Sequence, residues 1–439
     1  MNIYRFSLNN NGIFAELDSQ VPKDSPLREG KPDGSWLPKV GKDYPGAISF
    51  FTPKGLLRYN QSGLKNWHYL VTEGAAQMLI TEKPEKVLYE DEFQVIVDSK
   101  TEIKKSYPFV YEGPSKAPIP PEDNRPEFIR HHSSLQDYFA YAFYSGSDES
   151  FTQGAALGSD LGLKNLGIHY EILAPHKRSS WPHAHSSEEE FVYFLEGEAH
   201  LWINGKEIPA KAGDIVYFPP GSNLAHTVMN KTDSPVKMIV IGETNAPNDL
   251  IYYPEHEKRN KECEEGGYFW KDRPEAPLFN THKNISEFEQ KDSGGIDEPL
   301  HYFFKGRDLG RALGAKRIAL HHQEIMPGFR SGIPHCESLE EEFIFVLKGS
   351  LIAWINGRRY PMSEGDSCAL PAGTGILHTF INDSDSPVEI LMIGETWKDD
   401  NQCIYGINPE LQEPDKPLHW HDWPEQDLGD ESSLPKKIK

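Results

Sequence analysis

Two stretches of the chain, PHAHSSEEEFVYFLEG at 182–197 and PHCESLEEEFIFVLKG at 334–349, are one phrase written twice. An offset of 152 residues carries His183 onto His335, His226 onto His378, Gly205 onto Gly357 and Pro219 onto Pro371. From Pro182 to Thr244 the register needs no gap, and somewhat under half of the positions are identical. The likeness reaches upstream, HYEILAPHKRSS at 169–180 pairing with HHQEIMPGFRSG at 321–332, and each copy closes similarly, with WKDRPE at 270–275 and WHDWPE at 420–425. A unit of about 150 residues is domain-sized and too long for a solenoid, so the chain is expected to fold around two homologous cores.

Within each unit the local pattern is β. FVYFLEG and FIFVLKG are short apolar runs ending in glycine. Asn204-Gly205 and Asn356-Gly357 each sit between two such runs, where a two-residue hairpin needs positive φ at both central positions. Many short strands punctuated by turns predict a barrel or jelly roll in each unit. Residues before the repeat read differently. Thr52-Pro53 suits a helix start and Gly63 a stop, MLIT and FQVIVD read as strands, and the proline-rich 111–127 reads as a linker. The expected organisation is an α+β domain with linker at 1–124, barrels at 125–275 and 276–425, and a polar tail at 426–439.

Composition narrows the partners. A net charge of −22 over 439 residues argues against nucleic acid or an anionic membrane surface. No apolar run reaches the roughly 18 residues of a membrane span, and the N-terminus shows no secretory pattern. The four cysteines are scattered without a CxxC pair, which suits a reducing compartment. The expected setting is the cytoplasm, and the expected partner is a small molecule.

In an extended strand His183 and His185 face one way, Glu190 opens the next strand, and His226 arrives later from another. Three imidazoles and one carboxylate converging in a barrel suit a borderline divalent metal: Fe, Mn, Ni, Co, Cu or Zn. Trp181 shares the parity of His183 and could floor a pocket, and Arg178 could hold a substrate carboxylate. His169 and His321 recur at matching positions and read as structural, while the parity of Cys336 turns it away from the site.

These residues resemble the two motifs of the cupin superfamily, G-x5-H-x-H-x(3,4)-E-x6-G and, further on, G-x5-P-x-G followed by His. His183, His185, Glu190 and Gly197 fit the first, and Gly213, Pro219, Gly221 and His226 the second. Lys177 stands where the leading glycine belongs, and the last spacer is long. The second copy fits through His335, Glu342, Gly349, Gly365, Pro371, Gly373 and His378. The chain thus resembles a bicupin, in particular uncharacterised cupins with the PHxxSxEEEF phrase. The resemblance implies two tandem double-stranded β-helix (jelly-roll) barrels, mainly β in class, after the small N-terminal α+β domain. It implies metal ligands His183, His185, Glu190 and His226 in the first barrel and His335, Glu337, Glu342 and His378 in the second. Glu337 in place of a histidine adds charge and a harder donor.

Such a protein is expected to be a metal-dependent oxidoreductase of dioxygenase type acting on a small organic molecule. A non-redox isomerase, decarboxylase or lyase, or a non-catalytic binding cupin, are the alternatives. Tandem barrels can satisfy within one chain the pairing that single barrels find between chains, so a monomer or homodimer is expected. Light scattering checks this, and a mass of four subunits or more would contradict it.

Overall fold

The computed structural model describes residues 151–244, 248–295, 301–396, 398–411 and 418–429 of the repeat region, and before it 2–8, 46–52, 77–98, 105–108 and 125–135 among shorter stretches. The N-terminal unit comprises Met1–Asp123 with Ser133–Gln153. Its sheet runs Tyr89–Glu90, Gln94–Asp98, Ala47–Phe51, Asn2–Leu8, Gln77–Glu82, Lys105–Pro108, with Asn11–Gly12 pairing beside Asn2–Leu8. Ile3, Phe50, Val95 and Val97 form its core. The Thr52 hydroxyl caps a helical turn by accepting from Gly55 N at 3.0 Å, while Pro53 and Gly63 lie outside the described residues. So does most of the proline-rich stretch, through residue 124, and the tail from 430.

The second unit holds both repeats. In the first barrel one sheet contains Asp214–Phe218, Glu190–Glu196, Val236–Glu243 and Leu166–Leu173, in that order. Facing it are Lys206–Lys211, Glu198–Ile203 and His226–Met229, with the short pair Ala184–His185 and Ile251–Tyr252. Val192, Phe194, Leu201, Val216 and Met238 are among the buried side chains between the faces. The second barrel repeats this with Asp366–Leu370, Glu342–Lys348, Val388–Glu395 and Ile318–Ile325 against Arg358–Ser363, Ser350–Ile355 and His378–Ile381. Both Asn-Gly turns take the expected conformation, with φ of 47° and 84° at Asn204 and Gly205 and 48° and 78° at Asn356 and Gly357.

The barrels are joined by a contact that the alternation of the EEE run creates. Glu189 is fully buried, and its carboxylate accepts backbone N–H groups from Lys316 at 2.8 Å, Arg317 at 3.0 Å and Ile318 at 3.0 Å, plus the Tyr217 hydroxyl at 3.1 Å. The reciprocal residue Glu341 accepts from Lys164 at 2.7 Å, Asn165 at 2.9 Å and Leu166 at 3.1 Å. The offset of 152 relates both partners of one contact to both partners of the other, so the pair is pseudo-twofold. Around it, Arg317 grips Glu243 through Nε at 2.8 Å and Nη2 at 2.6 Å.

Two strands cross the expected barrel boundaries. Ile129–His131, placed by sequence in the first barrel's segment, pairs with Asp366–Leu370 of the second. His282–Asn284, placed in the second, pairs with Asp214–Phe218 of the first. The closing tryptophans join the core of their own barrel, Trp270 clustering with Ala184 and Ala225, and Trp420 with Cys336, Trp354 and Leu377. All four cysteines are free, and no described helix is long and apolar enough to cross a membrane.

Two stability experiments follow. Replacing Glu341 by Leu strands three N–H donors in a dry interface, and each buried unsatisfied donor costs about 1–3 kcal/mol; a fall in melting temperature of several degrees is expected, against little change for an exposed glutamate such as Glu257. The second concerns His132, whose ring stacks on Tyr170 of the first barrel at 3.8 Å, with Phe345 of the second barrel 6.2 Å from Tyr170. Burial, then the nearby charges of His131 and Lys237, hold its pKa well below the usual imidazole value. The unfolded chain takes up this proton near pH 6.5 while the folded chain does not, so stability falls as pH drops below about 6.5. Melting curves between pH 7 and 5 should show that slope, and His132→Phe should flatten part of it; an unchanged slope would show that the ring protonates freely in the fold.

Candidate metal centre

The antiparallel bridge between His183 and His226 sets their rings side by side, with centroids 5.0 Å apart. His183 Nδ1–H donates to the Trp181 carbonyl at 2.8 Å and His226 Nδ1–H to the Leu224 carbonyl at 2.9 Å. Each ring therefore keeps Nε2 as a lone-pair donor, the arrangement in which imidazole ligates. Glu190, first residue of its strand, brings Oε2 to 3.0 Å from His226 Nε2. Phe218 stacks flat on His226 at 3.5 Å and fixes its plane. Donor atoms of His183, Glu190 and His226 all lie within 4.8 Å of one another.

With Nδ1–H committed to a carbonyl, the 3.0 Å contact between His226 Nε2 and Glu190 needs either an extra proton or a cation. The donor set therefore fits a divalent ion, with imidazole nitrogens and one carboxylate as ligands. Burial, then His226 and His185, hold His183 down to about 3, so its lone pair is available at any ordinary pH. Burial alone would raise Glu190; the charge and hydrogen bond of His226, with His183 and His185, outweigh it and hold the carboxyl down to about 2.

His185 lies against the same centre, its ring 5.1 Å from that of His183, but it belongs to a second cluster with Glu188 and Asp249. Its Nδ1 meets Asp249 Oδ2 at 2.6 Å and Glu188 Oε2 at 3.4 Å. Against the cost of burial, these carboxylates raise its pKa to about 9. Burial in turn lifts Glu188 to about 7. A cavity of about 310 Å³ opens over the donors, lined by His169, Glu171, Ser179, Glu188 and the apolar wall of Val192, Val228 and Val240 among others. His169, expected to be structural, faces this space.

The second barrel rebuilds the centre. His335 and His378 are bridged with rings 4.9 Å apart, and their Nδ1 atoms donate to the carbonyls of Ile333 and Ile376. Glu342 Oε2 lies 2.8 Å from His378 Nε2 and 3.7 Å from His335 Nε2. Glu337 is not drawn into this group of donors; burial, then the charges of Glu342 and Glu340, push its carboxyl up to about 8. At neutral pH it is a neutral acid unless a cation replaces its proton.

Two expected pocket residues lie elsewhere. Trp181 is absent from the described cavity lining because its ring stacks on His256 at 4.0 Å and meets Tyr253 edge-on. Arg178 is likewise outside it, 3.3 Å from Glu255. For Trp181 this follows from the two-residue length of Ala184–His185: the extended parity assumed from the histidines back to Trp181 does not persist. Conversely, Glu188, Asp249, Tyr253 and Phe218 escaped the motif. Asp249 and Glu188 were within reach of the repeat register, which pairs them with Asn401 and Glu340.

The cupin domain model matches residues 169–242 and 321–394. An oxalate-binding protein of Thermotoga maritima is 32% identical over 59 residues, which are 13% of this chain and about half of that relative, at 47% of its length. Oxalate decarboxylase of Bacillus subtilis is similar at 17% identity over 63% of this chain and 78% of that one, with a TM-score of 0.40. Salicylate 1,2-dioxygenase of Pseudoaminobacter salicylatoxidans is similar at 15% identity over 53% and 68%, with a TM-score of 0.37. With two family matches 152 residues apart and a His-Glu-His cluster in each barrel, the repeat region is a tandem pair of cupin domains.

Proposed function

We propose that the protein is a metal-dependent enzyme acting on a small organic molecule in the first barrel, with dioxygenase-type oxidation as its reaction class. The observation that carries this is the difference in side-chain size at matching positions around two like donor clusters. Against Gly167, Val192, Val228 and Val240 at the first cavity, the second barrel sets Ala319, Ile344, Phe380 and Met392. Phe380 is 1% exposed, and its ring lies 6.3 Å from that of His378. Bulkier side chains in the second barrel stand where the first has the small residues that line its cavity.

His183, His185, Glu190 and His226 would hold the ion, one of Fe, Mn, Ni, Co, Cu or Zn. When bound, it supplies Lewis acidity and, if redox-active, electron transfer. The chain itself supplies the rest. The valine wall excludes water and accepts an apolar portion of the ligand, while the hydroxyls of Ser179, Ser180 and Thr244 offer hydrogen bonds at the lining.

A second reading, binding or decarboxylation of a small dicarboxylate, is supported by the partial likeness to the oxalate-binding relative. Against it, the described lining carries Glu171, Glu188 and Glu243 but neither Lys nor Arg. A dianion would there depend on the metal and His185 alone.

The test begins with metal analysis of protein purified without a metal-affinity tag, followed by oxygen-uptake measurements. Chelation should remove activity and readdition restore it. His183→Ala with His185→Ala should leave turnover below detection, whereas His335→Ala should act mainly by lowering stability, by about 1–3 kcal/mol. Activity surviving the first change and lost with the second would assign the working site to the other barrel. Substrate turnover without oxygen consumption would favour the non-redox alternatives.

A further inference from the structure

The position that most distinguishes the two centres changes together with a partner 64 residues downstream. In the first barrel His185 meets Asp249; in the second the same offsets give Glu337 and Asn401. The backbone placement is the same. His185 pairs with Ile251 and Glu337 with Cys403 in equivalent two-residue ladders. One side-chain oxygen of residue 249 or 401 also meets two matching donors, Asp249 taking a third from Glu188 N at 3.3 Å. Asp249 Oδ1 accepts from Ser187 N at 2.8 Å and Ser186 Oγ at 3.4 Å; Asn401 Oδ1 accepts from Leu339 N at 2.9 Å and Ser338 Oγ at 3.3 Å.

The other terminal atom differs in polarity. Asp249 offers an acceptor oxygen, and His185 presents the Nδ1–H it needs, at 2.6 Å. Asn401 offers a donor, Nδ2, and residue 337 is a carboxylate, which can only accept once ionised. Asn401 is 0% exposed and its Nδ2 has no hydrogen-bond partner, although its amide acts on Glu337. A buried amide left in this state costs about 1–3 kcal/mol. It is satisfied when the Glu337 carboxylate turns to it with one oxygen while the other reaches the centre.

We propose that Asp249 and Asn401 are positioning residues, each matched in hydrogen-bond polarity to the fourth ligand of its own barrel, so that His185–Asp249 and Glu337–Asn401 are exchangeable units that set ligand hardness. This rests on the metal reading above. Asp249 fixes the His185 ring with Nε2 toward the cavity, and Asn401 presents the Glu337 carboxylate as a second oxygen donor, giving the second centre a harder donor set. Single exchanges break the match: Asn401's counterpart amide would face a histidine N–H, or an aspartate would face a glutamate.

Cobalt(II) is the probe, because its visible absorption reports donor type and coordination number while calorimetry reports affinity. In full-length chain carrying His335→Ala and His378→Ala, only the first centre binds. There Asp249→Asn and His185→Glu should each weaken cobalt binding about 10–100-fold and alter the spectrum. The double exchange should recover at least tenfold over the product of the single losses and give one spectral species. Losses that simply multiply, or an Asp249→Asn variant with unchanged affinity and spectrum, would overturn the proposal.

The mirror experiment guards against misfolding of the first barrel. With His183→Ala and His226→Ala as background, Asn401→Asp should weaken the second centre and Glu337→His with Asn401→Asp should restore it. If cobalt binds neither centre in the unaltered chain, the metal reading fails, and melting of the metal-free protein decides the pairing alone. The double exchange should then melt above the sum of the single shifts, and additive shifts would overturn it.

Discussion

Everything in the repeat region depends on two carboxylates buried where water cannot reach them. A buried carboxyl needs hydrogen-bond partners there. Glu189 and Glu341 each meet three consecutive backbone N–H groups where a strand of the other barrel begins. The three amides form a nest for an acceptor, and the acceptor is supplied by the other barrel. The contact is isologous, so each barrel completes what its neighbour lacks. It also lies one residue from the metal-facing glutamate in both copies. Position 189 or 341 turns outward and 190 or 342 turns inward, so fixing one fixes the register of the other.

The fold was legible because its signals are local and duplicated. The Asn-Gly turns, the glycine-terminated strands and the spacing of His183, His185, Glu190 and His226 each constrain structure within a few residues. The EEE run carried more than that reading extracted. Its three members face three ways: Glu188 to the cavity and His185, Glu189 to the other barrel, Glu190 to the candidate metal centre. No periodicity marks the middle one as buried, since a buried glutamate is explained only by the amides it meets and those lie 127 to 129 residues away. The crossed strands were hidden for a related reason. IRH at 129–131 and HKN at 282–284 are too short and polar to show alternation, and hydrogen bonding at a sheet edge assigns them to a barrel.

The site was legible as a ligand list but not as a geometry. The motif names His185 beside His183, and the structure adds that His185 is held by Asp249, a residue the motif does not contain. Trp181 was assigned to the pocket by extending strand parity through Pro182, and Arg178 by the chemistry of its guanidinium. The strand ends before it, and both side chains turn to the segment around Tyr253–His256.

Why a chain should keep a second barrel with bulkier interior side chains follows from the first contact. Removing that barrel would leave Glu189 without its three amides and would open Tyr170 and Tyr193, now 4% and 6% exposed, to water. The strand that carries Glu190 would then begin at a carboxyl stripped of its three amide partners. Hydrogen bonds contribute about 0.5–1.5 kcal/mol each, so losing three of them with the surrounding buried surface is a large fraction of the stability of a whole domain. The second barrel is thus free to change the side chains of its interior, provided its outer surface keeps presenting 316–318 to Glu189. Its side chains divide accordingly, with Phe380, Met392 and Glu337 departing from the first copy inside while Glu341, Glu395 and Thr396 repeat it at the interface. The selectivity of change follows the direction each side chain faces, which is the physical form that divergence of two like domains takes when one contact holds them both.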